Sequence, residues 1–238
     1  MFDIEAQFTE GVQVLRKKIA LLLGGSGLVG GHCLDYLLND AYYTHVKALV
    51  RRPLSVEHPK LIQHQVSFDK LKDHLTKIKA NDVYCCLGTT IKKAGSQKAF
   101  RKVDFSYPKE IAKLSLANGA EQFLLISALG ANPNSLIFYN RVKGEVEQAI
   151  AQCRFQGFYI FRPSLLLGER QERRLSEEFG QKIFQWLSFG FMGVLKKYKP
   201  IEGKAVAFAM VEIAKEQRRG KQIFESSNIQ SIYDQRRN

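Results

Sequence analysis

The chain has 238 residues, a length for one α/β domain with a modest extension, and with 45% hydrophobic residues it can bury a large core. Its 36 Lys and Arg against 23 Asp and Glu leave a net charge of +13, which suits anionic ligands. No compact basic motif accompanies that charge, so no nucleic-acid partner is expected and a basic surface is the simpler account. The four cysteines (Cys33, Cys85, Cys86, Cys153) form no C-x-x-C pair and the five histidines no H-x-x-x-H pair, so no metal site and no disulfide framework is expected.

Residues 1–16 open the chain as a weakly specified arm or short helix. "MFDIEAQFTEGVQ" is acidic and lacks an apolar secretory core, and together with the unpaired cysteines it gives a cytoplasmic expectation. "KKIALLLGG" is an apolar run between charge and glycine, as a parallel strand buried on both faces requires. "LVGGHCLDYLLND" sets Leu34, Leu37 and Leu38 on one face of a helix. "HVKALVRRP" is a second strand, stopped by Pro53, and the alternating "LIQHQVSFDKL" a third. "DVYCCLGTT" is a fourth, with Cys85 and Cys86 pointing to opposite faces. "FRKVDFSYPKEIAKLSLANGA" has the period of one long helix ending at Gly119. "QFLLISALGA", "LIFYNRVKGEVEQAIAQ" and "GFYIFRPSLLLG" follow as strand, helix and strand.

After Gly168 the pattern breaks. "ERQERRLSEEFGQ" is charged, and "KIFQWLSFGFMGVLKKYK" is aromatic and basic. The second stretch is compatible with a substrate lid, a membrane-surface patch or a partner site, but a helix packed on the fold with ordinary surface lysines is the simplest expectation. "GKAVAFAMVEIAKEQ" resumes helical spacing and "KQIFESS" reads as a short strand. Apolar strands without alternation, separated by helices, define a doubly wound parallel α/β sheet. With no linker, the chain is expected to be a single domain, with a cofactor-binding core over about residues 17–168 and a C-terminal substrate-side extension over about 169–225.

The glycines Gly24, Gly27 and Gly30 follow the first strand and open the first helix, the context a dinucleotide fingerprint needs. Gly24 permits the tight turn, Gly27 the approach of a pyrophosphate to backbone, and Gly30 close helix packing, with phosphates at the helix N-terminus. About twenty residues on, where a carboxylate would hold a ribose 2′-hydroxyl, the chain has Arg51 and Arg52, which suit a 2′-phosphate. Asp69, in "SFDKL", has the chemistry to accept from an adenine amino group or to cap a helix. Tyr139 and Lys143 are four residues apart on one helix face, so the ammonium can stabilise the phenolate and make the phenol an acid/base. Ser127, where the fifth strand ends, is placed to hydrogen-bond a substrate carbonyl.

A strand–GxxGxxG–helix unit, then Ser127, then Tyr139-x-x-x-Lys143, resembles the short-chain dehydrogenase/reductase superfamily. The glycine spacing is similar to that of its extended and atypical branches, which include nucleotide-sugar epimerases. "LLLGGSGLVG", "VRRP", "CLGTT", "YNRVKGEVE", "FRPSLLLGERQE" and "AVAFAM" most resemble the Tat-interacting-protein-like oxidoreductases, over about residues 17–225. The resemblance implies bound NADP(H). It implies phosphate contacts from Gly24, Ser26, Gly27, Leu28, Val29 and Gly30, 2′-phosphate contacts at Arg51 and Arg52, and further cofactor contacts at Leu87, Gly88 and Thr89. It also implies Tyr139 as acid/base, Lys143 as ribose ligand, and Arg162, Pro163 and Ser164 beside the nicotinamide. One departure stands out: relatives often carry two serines where this chain has Ser127-Ala128. If the second is the working hydroxyl, Ala128 has removed it and Ser135 becomes a candidate substitute.

The expected function is an NADP(H)-dependent oxidoreductase acting on a carbonyl or secondary alcohol of an unidentified small molecule. A cofactor-binding regulatory protein with weak turnover is the alternative, and epimerase-like chemistry a further one. The superfamily often pairs through the helices that here carry Asp104 and Tyr139, so a monomer or homodimer is expected.

Overall fold

The computed structural model describes residues 17–76, 78–168 and 199–236. In chain order these form β1 (Lys18–Leu23), α1 (Leu28–Asn39), β2 (Tyr43–Val50), β3 (Leu61–Gln65), a 3-10 turn (Phe68–Lys70) leading into α2 (Leu71–Leu75), and β4 (Asp82–Cys85). Then come α3 (Ile91–Ala94), α4 (Gln97–Arg101), a π-helical turn (Lys102–Ser106), α5 (Tyr107–Ala117), β5 (Gln122–Ile126), α6 (Phe138–Ala151) and β6 (Gly157–Arg162). The described chain closes with β7 (Leu166–Leu167), β8 (Ile201–Glu202), α7 (Gly203–Lys215), β9 (Gly220–Glu225) and α8 (Ser226–Arg236). The expected N-terminal arm and the charged and aromatic-basic stretches at 169–198 lie outside the described residues.

The sheet has seven parallel strands in the order β3-β2-β1-β4-β5-β6-β9. β1 is apolar throughout because both of its faces are covered. Ala20 and Leu22 enter the core under α1, α7 and α8, while Leu21 and Leu23 enter the core under α2, α5 and α6. Cys85 and Cys86 divide between the same two cores, as their adjacency on a strand requires. The strand order reverses between β1 and β4, and the crevice outside their carboxyl ends is where open α/β sheets bind ligands.

Several elements differ from the sequence expectations. The long helix expected from Phe100 is divided by a π-helical turn, in which the Tyr107 amide donates to the Lys102 carbonyl, five residues back. Pro108 accounts for this. It has no amide to offer the Asp104 carbonyl, and its ring presses on that carbonyl, so the helix widens there. "GFYIFRPSLLLG" is two strands, because β6 stops at Arg162, before Pro163, and Leu166–Leu167 pair with β8. "KQIFESS" contributes β9, the seventh strand of the main sheet, and α8 follows it unforeseen. Gly119, at φ +88°, ends the helix as expected.

At the amino ends of the strands lies a buried polar network. Asp82 accepts from Tyr43 (2.8 Å) and Gln122 (2.8 Å), and the Lys18 ammonium stands 3.3 Å from Asp82 and 2.9 Å from Glu121. It fixes β1, β2, β4 and β5 against one another at the end of the sheet away from the crevice.

Candidate active site

Backbone geometry explains the glycine loop. Gly24 has φ +80°, and a Cβ there would stand 2.5 Å from the Cys86 carbonyl oxygen, so β1 can hand the chain to the loop only through glycine. A Cβ on Gly30 would stand 2.1 Å from the Gly24 carbonyl oxygen, and its absence lets α1 close onto the loop. Gly27 caps α1 at φ −85° and ψ 173°, a conformation any residue adopts, so no backbone strain demands glycine there. Ser26 and Gly27 are exposed on the loop, ahead of the free amides of the first turn of α1. The Val29 side chain is buried in the core, so only its backbone faces the loop. A cleft of about 750 Å³ runs behind the loop, between Gly25–Leu28, Pro53–Val56 and the start of α7 at Gly203 and Lys204.

Arg51 and Arg52 follow β2 directly and are both exposed; among the described residues neither pairs with a carboxylate. Asp69 lies in the 3-10 turn beyond β3, where it accepts from the Tyr107 hydroxyl (2.6 Å) and pairs with Lys102 (2.7 Å). Those two partners hold its carboxyl below the usual range.

On the other side of the loop, β4 delivers Leu87, Gly88 and Thr89. Leu87 packs on the core beneath α5 and α6, and Gly88 is exposed. A Cβ on Gly88 would stand 3.7 Å from Asp104 Oδ1 and 4.0 Å from Lys143 Nζ, so the backbone after β4 passes directly over that buried pair. Lys143 is only 4% exposed, and its ammonium reaches Asp104 Oδ1 at 2.8 Å and the Ile126 carbonyl at 3.4 Å. Burial alone would make that ammonium easier to deprotonate. The Asp104 carboxylate, aided by Tyr139, more than offsets this and holds it above its ordinary value. Thr89 donates its amide to Asp104 Oδ2 at 3.0 Å. Tyr139, one turn before Lys143 on α6, is half-buried with its ring 5.5 Å from that of Phe100.

Ser127 and Arg162 meet at a residue the motif reading passed over. The Ser127 hydroxyl donates to Glu147, and Arg162 grips the same carboxylate with its Nε (3.0 Å) and its second nitrogen. Ser127 is 4% exposed and Ala128 beside it is buried. The Arg162 guanidinium thus serves Glu147, while Pro163 is buried and Ser164 binds Ser226 and the Lys199 carbonyl. Ser135 sits on the turn before α6, accepting from the Ile137 amide (3.1 Å). Asp104 and Glu147 are the site residues the motifs did not reveal. A carboxylate four residues before a proline was the available signal for Asp104.

A Rossmann sheet with a glycine loop at its switch point, facing a buried lysine one turn from a tyrosine, is the arrangement of a short-chain dehydrogenase/reductase. No protein-family model matches the chain. HTATIP2 of Rattus norvegicus is 36% identical over 174 residues, covering 71% of this chain and 72% of that protein. FMP52 of Debaryomyces hansenii is 33% identical over 203 residues, covering 83% and 88%. The chain belongs to the HTATIP2 and FMP52 family, an atypical branch of the short-chain dehydrogenase/reductases.

Solved structures share the fold at low identity. MoeE5 in complex with UDP-glucose and NAD superposes with a TM-score of 0.64 at 15% identity, over 90% of this chain and 80% of that one. WbmH of Bordetella bronchiseptica in complex with NAD+ does so with 0.64 at 16%, over 91% and 79%.

The cytoplasmic expectation is corrected. The FMP52 relatives of Debaryomyces hansenii, Scheffersomyces stipitis, Coccidioides immitis and Candida glabrata are named as mitochondrial proteins, which points away from a purely cytoplasmic location. The absence of an apolar secretory core bears on the secretory route alone, since organelle transit signals are amphipathic rather than apolar.

Proposed function

We propose that the chain is an NADP(H)-dependent oxidoreductase that interconverts a carbonyl and a secondary alcohol, with Tyr139 as the acid/base. The observation that carries this reading is the buried Lys143 ammonium, one turn from Tyr139 on α6 and paired with Asp104. Bound NADP(H) supplies the hydride donor or acceptor. The loop at Gly25–Leu28 offers its amides and helix dipole to the pyrophosphate. Arg51 and Arg52 offer two forked guanidiniums to a 2′-phosphate at a strand end that lacks a carboxylate. The Lys143 ammonium donates to the Ile126 carbonyl and pairs with Asp104, and with three donors in all it has one to offer a ribose hydroxyl. Tyr139 gives its proton to the substrate oxygen as that oxygen gains charge, and recovers it in the reverse direction.

A second reading, an NADP(H)-binding regulatory protein with little turnover, is favoured by one observation: the Ser127 hydroxyl is committed to Glu147 and its neighbour Ala128 has none. The two readings separate on a panel of aldehydes and ketones incubated with NADPH and wild-type or Tyr139→Phe protein. Turnover that depends on Tyr139 supports the oxidoreductase. NADPH binding without Tyr139-dependent turnover supports the regulatory protein.

A further inference from the structure

Lys143 is buried with a carboxylate as its nearest partner. Its side chain is 5% exposed and that of Asp104 is 0% exposed, and they meet at 2.8 Å. Asp104 is held there by two devices: the π-helical turn set by Pro108, and the Thr89 amide on its other oxygen. The titratable groups that face Lys143 are Asp104 from this turn, Tyr139 from its own helix, and Cys85 from β4. Burial pushes the Cys85 thiol up to about 12, so it stays neutral and cannot substitute for Asp104. Glu147, one turn further along α6, is taken up by Ser127 and Arg162, and Glu145 by Arg101. What Tyr139 meets across the turn is therefore a lysine–carboxylate dipole and not an unopposed unit charge. A dipole stabilises a phenolate less than an isolated ammonium does.

We infer that Asp104 is a positioning residue that offsets the Lys143 charge beside Tyr139, setting the site for proton donation in carbonyl reduction. The inference rests on the reading of Tyr139 as the acid/base, and it is tested by a measurement that needs no turnover. Protein labelled with 13C at the tyrosine ζ carbon is titrated by NMR, with the Tyr139 resonance assigned by its loss in Tyr139→Phe. Asp104→Asn keeps the shape and an acceptor for Thr89, and it should lower the pH at which Tyr139 titrates by about one unit, the size of effect a single nearby charge gives. In the Lys143→Gln background no ammonium is left unpaired, so Asp104→Asn is tolerated there even if it unfolds the parent. It should leave the titration unchanged there, because no ammonium remains for Asp104 to offset. The alkaline limb of carbonyl reduction should move down with the titration in Asp104→Asn.

An unchanged Tyr139 titration in Asp104→Asn, or a shift between the two Lys143→Gln proteins, overturns the inference. NADPH affinity, measured on the same samples by fluorescence, judges the cofactor reading separately. A shifted tyrosine without NADPH binding refutes the cofactor and keeps the role of Asp104. NADPH binding without a shift does the reverse.

Discussion

Replacing Tyr139 by Phe removes one hydroxyl and keeps the ring against Phe100, so NADPH affinity should hold while turnover falls by about 10²–10⁴, the usual share of general acid–base catalysis. Steady-state rates beside a binding titration check this, and unchanged turnover in Tyr139→Phe would remove the proposed chemistry. Lys143 adds a pH dependence. Its ammonium is raised above 10.5 in the folded state, despite burial, by the Asp104 carboxylate. A base raised by folding contributes its stabilisation below the unfolded value and loses it as pH climbs through the folded one. The stability difference between wild type and Lys143→Met/Asp104→Asn, from denaturant unfolding, should therefore be flat between about pH 7 and 10 and change only at more alkaline pH. A change centred near neutrality would mean that another group is responsible.

At the scale of the element, α6 and the turn before it depend on Gly144, where a Cβ would stand 2.2 Å from the Asn132 carbonyl carbon and the Pro133 nitrogen. Gly144→Ala should cost about 1–3 kcal/mol by overpacking and displace the turn that carries Ser135, measured by denaturant unfolding. A neutral result would show that the turn yields freely. The sequence made some elements plain and hid others, each for a physical reason. β1 was legible because a sheet covered on both faces leaves only apolar positions, and the loop because glycines stand where backbones collide. Tyr139 and Lys143 were legible because helix periodicity brings them onto one face. The π-helical turn was not, because one proline acting on the carbonyl four residues back leaves the apolar period of the helix intact. Glu147 escaped because Ser127 and Arg162 reach it only once β5, α6 and β6 are side by side. In α8 only Ile229 and Tyr233 are buried hydrophobics, too sparse a stripe to stand out beside its polar residues.

Across the whole molecule, the buried Lys18–Asp82 network and the candidate site lie at opposite ends of the sheet. Lys18→Met leaves Asp82 buried without its ammonium and should cost about 3–5 kcal/mol in unfolding experiments while leaving NADPH affinity unchanged. A loss of affinity in the folded variant would show that the two ends are coupled. The carboxyl end carries the central claim, that the loop after β1 and the arginines after β2 bind NADP(H). Titrating NADPH and NADH into the protein, with Gly27→Val and Arg51→Ala/Arg52→Ala beside the wild type, tests it most directly. One charge-assisted contact to the 2′-phosphate is worth about 1.5–3 kcal/mol, so wild type should prefer NADPH by at least roughly tenfold to a hundredfold. The arginine variant should lose that preference. Gly27 has a φ open to any residue and a Cβ there would stand 3.1 Å from the Gly24 carbonyl oxygen, so Gly27→Val should fold with a small shift of that carbonyl and yet bind neither cofactor. Equal affinities for NADPH and NADH in the wild type, or full NADPH affinity in a folded Gly27→Val protein, would contradict the account.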